Sequence, residues 1–302
     1  MRAEGASSTA YLIAGSTVFV ARERIVGHLV PARSAELCAR FIAARPRLAG
    51  RLLRSLAAGR LRRLGALVER LTVPGIQLHY ALRKRFIEDE ARAALAAGFT
   101  QAVVLGAGFD TLAARLSGEF PRARFFEVDR HATQRLKTAA LARDPTLGPN
   151  LFFLPLDLAC GGLETALLSS PAFRRDQRTL FVAEGLLMYL APTQVRALLR
   201  SLGASSARAP RFVFTFIEPQ QPGGRLAFRR AGRAVDAWLA LRGEPFRWGA
   251  TRAALAEQLA AEGFRTRAVA DAAALRRRYL DTASLARLPL AEGECICVAE
   301  AD

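Results

Sequence analysis

Between Phe86 and Pro219 short apolar runs alternate with longer amphipathic segments, and this rhythm limits the fold more than any other feature of the chain. FIEDEARAALAAG, TLAARLSGEF, HATQRLKTAALAR, the segment around GGLETALLSS and APTQVRALLRSLGASS read as helices. QAVVLGAG, ARFFEVD, LFFLPLD, TLFVAEG and RFVFTFIEP read as strands between them. Strands alternating with helices imply a parallel sheet covered on both faces, the α/β doubly wound class.

The flanks differ. Residues 1–85 read as helices only, a helical cap in front of a core domain of residues 86–302. YLIAGSTVFVA, residues 11–21, is too short to span a bilayer, carries Ser16 and Thr17, and has neither a basic lead-in nor a cleavage site, so it is expected to be a buried helix. Leu48, Leu52, Leu56, then Leu61, Leu64, Leu67, Val68 and Leu71 recur at helical spacing among arginines, a basic amphipathic pair broken near Gly59. Packing of that stripe on the parent domain is favoured over a membrane-surface role. Residues 220–249, bounded by Gly and Pro, look like a helical insertion over the ligand edge of the sheet. A helix (TRAALAEQLAAEG), a strand (FRTRAVA), an irregular Arg-rich stretch and a last strand (ECICVAEA) close the chain.

The formal charge of +17 invites a polyanion partner. Yet the basic residues are nearly all Arg, with Lys84 and Lys137 the only lysines, and general compositional bias explains this better than a phosphate-binding face. No nucleic-acid or membrane partner is expected. Cys38, Cys160, Cys295 and Cys297 make no Cys-x-x-Cys pair and no cluster with His, so neither zinc nor a disulfide framework is expected, and a reducing cytoplasm is the default.

In a doubly wound sheet the ligand sits beyond the carboxyl ends of the strands, where the strand order reverses. The first strand runs into Gly106-Ala107-Gly108, glycines that let backbone approach a ligand and permit positive φ. A dinucleotide fingerprint has a third glycine where this chain has Thr111, and Asp110 stands beside the turn. A carboxylate there repels a pyrophosphate but tolerates a sulfonium, which favours S-adenosylmethionine over a nicotinamide. Three more acids end successive strands: Asp129, placed for ribose hydroxyls; Asp157, placed for the adenine amino group, with Leu158 packing on the ring; and Glu184, placed near the methionine ammonium.

Tyr80-x-x-Arg83-x-Arg85-Phe86, LGAGFDT, FEVD, PLDL, AEGLLMYL and EPFRWG together resemble the leucine carboxyl methyltransferase-like branch of the class I S-adenosylmethionine-dependent methyltransferases, most strongly between Tyr80 and Leu190. The resemblance implies a Rossmann-like sheet of seven strands, the last antiparallel, with an N-terminal helical cap. It implies Arg83 and Arg85 on the cofactor carboxylate, Gly106 at the methionine, Asp129 at the ribose, Asp157 and Leu158 at the adenine and Glu184 near the amino group. Arg22, in VARERI, matches an N-terminal basic residue that contacts the carboxylate in relatives.

Methyl transfer from a sulfonium needs alignment and exclusion of water, and a general base only if the acceptor is protonated. The acceptor is expected to be an anionic small molecule or peptide, held by arginines of the cap and insertion such as Arg229 and Arg230. Carboxyl O-methylation is the first expectation and hydroxyl O-methylation in specialised metabolism the second. A nicotinamide-dependent oxidoreductase and a nucleic-acid-binding protein built on the cap remain as readings from other classes. His79, beside the Tyr80 motif, is the candidate base, and Tyr189, just beyond Glu184, the candidate hydroxyl at the acceptor.

Overall fold

The apolar run QAVVL is wholly buried because helices cover both of its faces, and its alternate side chains feed two cores. In a computed structural model, which describes residues 8–44, 55 and 62–301, the chain begins with α1 (Ser8–Val20), α2 (Ala32–Ala43), α3 (Arg62–Thr72) and α4 (Ile76–Ala96). The alternating part follows: β1 (Gln101–Leu105), α5 (Leu112–Glu119), β2 (Arg124–Asp129), α6 (His131–Leu141), β3 (Leu151–Pro155), α7 (Leu163–Leu168), β4 (Thr179–Ala183), α8 (Pro192–Ser205) and β5 (Arg211–Ile217). It ends with α9 (Arg233–Leu241), α10 (Arg252–Ala261), β6 (Phe264–Ala270), α11 (Ala272–Tyr279) and β7 (Glu294–Ala301).

The strands form one seven-stranded sheet in the order β3-β2-β1-β4-β5-β7-β6. All pairs among β1 to β5 are parallel, and β7 runs antiparallel to both β5 and β6. Ala102 and Val104 face a core shared with α4, α5 and α11, while Val103 and Leu105 face one shared with α7, α8 and α10. Two-sided burial explains why these strands read as unbroken apolar runs. The strand order reverses between β1 and β4, which sets the ligand crevice beyond their carboxyl ends.

A third core ties the cap to that crevice. Phe109, from the glycine corner, lies 4.5 Å from the Tyr11 ring of α1 and 5.3 Å from Phe41 of α2. The segment 11–21 is indeed helical to Val20, with Tyr11, Ala14 and Val18 in this core. Helix α4 is continuous across residue 85, so cap and core share it.

Two expectations change. The stripe of α3 does not pack: Leu64, Leu67 and Val68 are half exposed and Leu71 is 73% exposed. The helix docks through Glu69, which accepts from Gln77 Nε2 at 2.7 Å, rather than through its leucines. The leucines of the earlier part of that amphipathic pair, Leu48, Leu52, Leu56 and Leu61, lie outside the described residues. The Arg-rich stretch after β6 is a helix, α11, because Asp271 caps it by accepting from the Ala274 amide at 2.8 Å and Leu275 buries its inner face. Among the described residues no helix is long and apolar enough to cross a membrane.

Candidate functional site

Gly106 leaves β1 with φ of +61°, and its amide donates to Val128 O at 2.8 Å, stitching the corner to β2. A Cβ here would come within 2.8 Å of Leu186, so a side chain at this position crowds the loop after β4. Ala107 is buried, and the Gly108 amide, at φ of +46°, donates to the Asp129 carboxylate. The other Asp129 oxygen accepts from the Arg130 amide at 2.6 Å. Two backbone donors thus fix the carboxylate while leaving lone pairs for further hydroxyls. Burial raises the Asp129 pKa, only partly offset by the Gly108 amide.

These residues line a cavity of about 340 Å³. Asp157, Leu158, Glu184 and Tyr189 line it too, so Gly106, Asp129, Asp157 and Glu184 converge on one space. Asp157 accepts from the Ala159 amide at 3.0 Å, capping a short 3-10 turn that presents Leu158 to the cavity. Part of the wall comes from Thr9, Ala10 and Ile13 of α1, and part from Gly243 to Pro245 and Arg247 of the insertion. The two are joined across it, since Glu244 accepts from both the Thr9 amide and hydroxyl.

Helix α4 delivers the cations. Arg83 donates through Nε (3.0 Å) and Nη2 (2.6 Å) to Glu184, and through Nη1 to both oxygens of Glu294 at 2.8 Å. Lys84 donates to Asp110 at 2.6 Å and to Glu184 at 3.0 Å. Burial works against the Lys84 charge, but Asp110 and Glu184 outweigh it and raise its pKa. Burial likewise works against the Asp110 charge, and Lys84 and Lys137 outweigh it, holding that carboxyl below the usual range. For Glu294 burial is again the largest influence, yet Arg83 and His79 bring its pKa down to about 2.

Five expected residues stand elsewhere. Arg85 lies two positions beyond Arg83, roughly 200° around the helix. It pairs with Asp89 at 3.4 Å and lines a separate groove of about 960 Å³ that reaches the far end of α5, where Glu88 and Glu119 take up Arg92 and Arg115. Arg22, in the turn after α1, is exposed and off the cavity wall. Arg229 pairs with Glu292 at 3.6 Å, and neither it nor Arg230 lines the cavity; Arg247 is the insertion's arginine that does. His79 is fully buried behind Arg83, its Nε2 2.8 Å from Glu294, so it cannot touch an acceptor in the cavity. Tyr189 does line the cavity, its ring 5.5 Å from Phe246, and burial raises its phenol pKa well above the ordinary value.

Two residues of the site escaped the sequence reading, Lys84 and Glu294. Lys84 had a signal, being one of two lysines among 44 basic residues. Lys137, the other, is also buried, 2.6 Å from Glu127. A compact ammonium fits such seats better than a planar guanidinium. Glu294 had none: even with the last strand expected to be antiparallel, the pairing of β7 with β5 that brings its first residue to Arg83 cannot be read from the sequence.

Among solved structures, a methyltransferase from Thermobifida fusca, provisionally named as such, superposes with a TM-score of 0.55 at 18% identity, covering 87% of this chain and 94% of its own. It supports the fold. A relative from Frankia alni, provisionally named an S-adenosyl-L-methionine-dependent methyltransferase, is 34% identical over 144 residues, 46% of this chain and 48% of its own length. A Parafrankia relative of the same provisional name is 34% identical over 172 residues, 56% of this chain and 48% of its own. The chain spans about half the length of the curated relatives it matches. The family described as leucine carboxyl methyltransferase matches residues 16–203, more than half of the chain and the whole stretch from α4 to β4. The chain therefore belongs to the leucine carboxyl methyltransferase family.

Proposed function

We propose that this protein is an S-adenosylmethionine-dependent O-methyltransferase that acts on a carboxylate of an anionic small molecule or peptide. The convergence of Gly106, Asp129, Asp157 and Glu184 on one cavity carries the reading. The wall fits that cofactor by its chemistry. Asp110, charged and largely buried beside the glycine turn, would repel a phosphate, whereas a sulfonium and an ammonium suit an acidic wall. Family membership and the names of the relatives point the same way.

In this reading Asp129 holds the ribose hydroxyls, Asp157 and Leu158 the adenine, Glu184 the ammonium, and Arg83 with Lys84 the carboxylate end. Bound S-adenosylmethionine supplies an electrophilic methyl group on a sulfonium. The protein's part is to orient the acceptor oxygen and keep water out, with α1 and residues 243–247 forming walls. Neither candidate base serves. His79 faces Glu294 rather than the cavity, and burial keeps the Tyr189 phenol protonated near neutral pH, a donor. An ionised carboxylate needs no base, whereas a phenol or alcohol does. Arg247 offers a positive charge on the acceptor side of Tyr189: its amide donates to Met188 O at 2.7 Å, and Met188 is the residue before Tyr189.

A thermal-shift panel with S-adenosylhomocysteine, NAD and single-stranded RNA tests the cofactor, since a ligand that binds only the native state raises Tm. S-adenosylhomocysteine alone should do so; a rise with NAD or RNA alone would refute the cofactor assignment. Labelled S-adenosylmethionine offered with carboxylic acids and phenols tests the acceptor. The expected product is an ester that mild base hydrolyses to labelled methanol, and a base-stable ether overturns the carboxylate reading.

A further inference from the structure

We propose that Glu294, with His79, is a positioning residue that holds Arg83 and sets the charge of the methionine end of the cavity. Glu294 opens β7, in register with Ile217 at the end of β5. Because β7 runs antiparallel, its first residue arrives at the edge of the sheet where the parallel strands end. The seat is fixed by backbone: Gly293, at φ of +104°, accepts from the Glu218 amide at 2.8 Å, and Glu292 accepts from the Arg229 amide at 2.7 Å. His79 and Arg83 are four residues apart on α4, on one helix face. The Glu294 carboxylate accepts from both, at 2.8 Å each, in a site with essentially no solvent.

Arg83 thus spends Nη1 on Glu294 and its other edge on Glu184. Lys84 is shared in the same way between Glu184 and Asp110. Glu294, Glu184 and Asp110 thus face Arg83, Lys84 and the His79 ring, and Glu294 is one of the three carboxylates that balance them. The cluster ends on Glu184, where an ammonium is expected. Without the Glu294 charge this end of the cavity becomes one unit more positive, and the Arg83 Nη1 loses its charged partner in a dry site, leaving Glu184 as the only carboxylate that holds the guanidinium. The cavity then loses its preference for a ligand with an amino-acid tail, while the adenosine end, held by Asp129 and Asp157, is untouched. This inference rests on assigning the Glu184 end to the methionine half of the cofactor.

The test measures calorimetric affinities of the full chain for S-adenosylhomocysteine and for 5′-methylthioadenosine, which shares the adenosine and thioether but lacks the amino-acid tail. Wild type should prefer S-adenosylhomocysteine. Glu294→Gln should weaken that ligand about tenfold or more and leave 5′-methylthioadenosine within about twofold. Combined with Arg83→Met it should add little to the loss from Arg83→Met alone, because the two act as one unit. His79→Gln, which keeps a donor to Glu294, should stay near wild type where His79→Leu does not, and this pair decides the matter if Glu294→Gln fails to fold. Equal losses for both ligands, full additivity with Arg83→Met, or indistinguishable Gln and Leu variants at His79 would each overturn the positioning role. Wild type that binds the two ligands equally would refute the assignment of the methionine end, and the proposal with it.

Discussion

Lys84 and Asp110 meet at 2.6 Å although 26 positions separate them, one from the long helix α4 and the other from the corner after β1. The contact locks the cap-side helix to the glycine turn. Asp110 also accepts from the Leu112 amide at 2.7 Å, so the same carboxylate starts α5. One ion pair therefore sets both the turn and the charge beside it.

Lys84→Met leaves Asp110 and Glu184 short of a partner. Breaking an ion pair in a largely dry site costs about 3 kcal/mol, and Tm should fall by roughly 5–10 °C. Affinity for S-adenosylhomocysteine should fall with it. Calorimetry and thermal unfolding on the purified variant measure both, and an unchanged Tm would show that the pair contributes nothing to the corner.

Asp129→Ala tests the ribose assignment. Two backbone amides orient this carboxylate, and its remaining lone pairs face the cavity. Loss of charge-assisted hydrogen bonds should weaken S-adenosylhomocysteine by about 1.5–3 kcal/mol without unfolding the chain. Because the ribose is common to both ligands, 5′-methylthioadenosine should weaken equally, unlike the pattern expected for Glu294→Gln.

The centre of the sheet is legible in the sequence because parallel strands buried on both faces leave unbroken apolar runs, and QAVVL, TLFVA and RFVFTFI each become a strand. Gly106, Asp129, Asp157 and Glu184 are legible for the same reason: a strand's end is visible, and in this fold the ends lie together. Helix orientation is not. Arg83 faces the cavity and Arg85 a different groove, a distinction set by how α4 packs against its neighbours. His79 and Tyr80 lie one helical turn before Arg83, yet His79 is sealed behind it by Glu294, more than 200 positions away. Amphipathic spacing in α3 shows a stripe but not whether anything covers it.

Phe109→Ala separates cap from corner. Its ring is the shared contact of Tyr11 and Phe41, and truncating a buried Phe costs about 3–5 kcal/mol. Tm should fall by roughly 10 °C. Since α1 forms part of the cavity wall, S-adenosylhomocysteine should bind more weakly as well, and Phe109→Leu should recover most of both losses. Weak binding with an unchanged Tm would indicate a direct ligand contact instead.

Glu294 gives stability a pH dependence of definite sign. Its pKa falls from an ordinary value of 4.5 to about 2 on folding. A depressed carboxyl contributes its full stabilisation above the unfolded value and loses it as pH falls through the folded one. Urea unfolding between pH 6 and 3 should therefore show stability dropping as pH approaches 3, and Glu294→Gln should flatten that slope even though it is less stable at pH 6. Equal slopes would show that Glu294 titrates as it does in the unfolded chain.

Tyr189→Phe discriminates between donor and base. Burial raises the phenol above its ordinary pKa of 10, so at pH 7–9 the hydroxyl keeps its proton. As a donor that orients a carboxylate oxygen it contributes one hydrogen bond, about 0.5–1.5 kcal/mol, and its removal should lower kcat/KM by roughly threefold to tenfold. The pH profile should keep its shape, because no group that titrates in this range has been lost. As a base it would contribute about 10²- to 10⁴-fold, and the basic limb of the profile would disappear with it. Steady-state rates for the variant across that pH range, with an acceptor from the acid screen, separate the two, and a loss of the larger size would return a hydroxyl acceptor to first place.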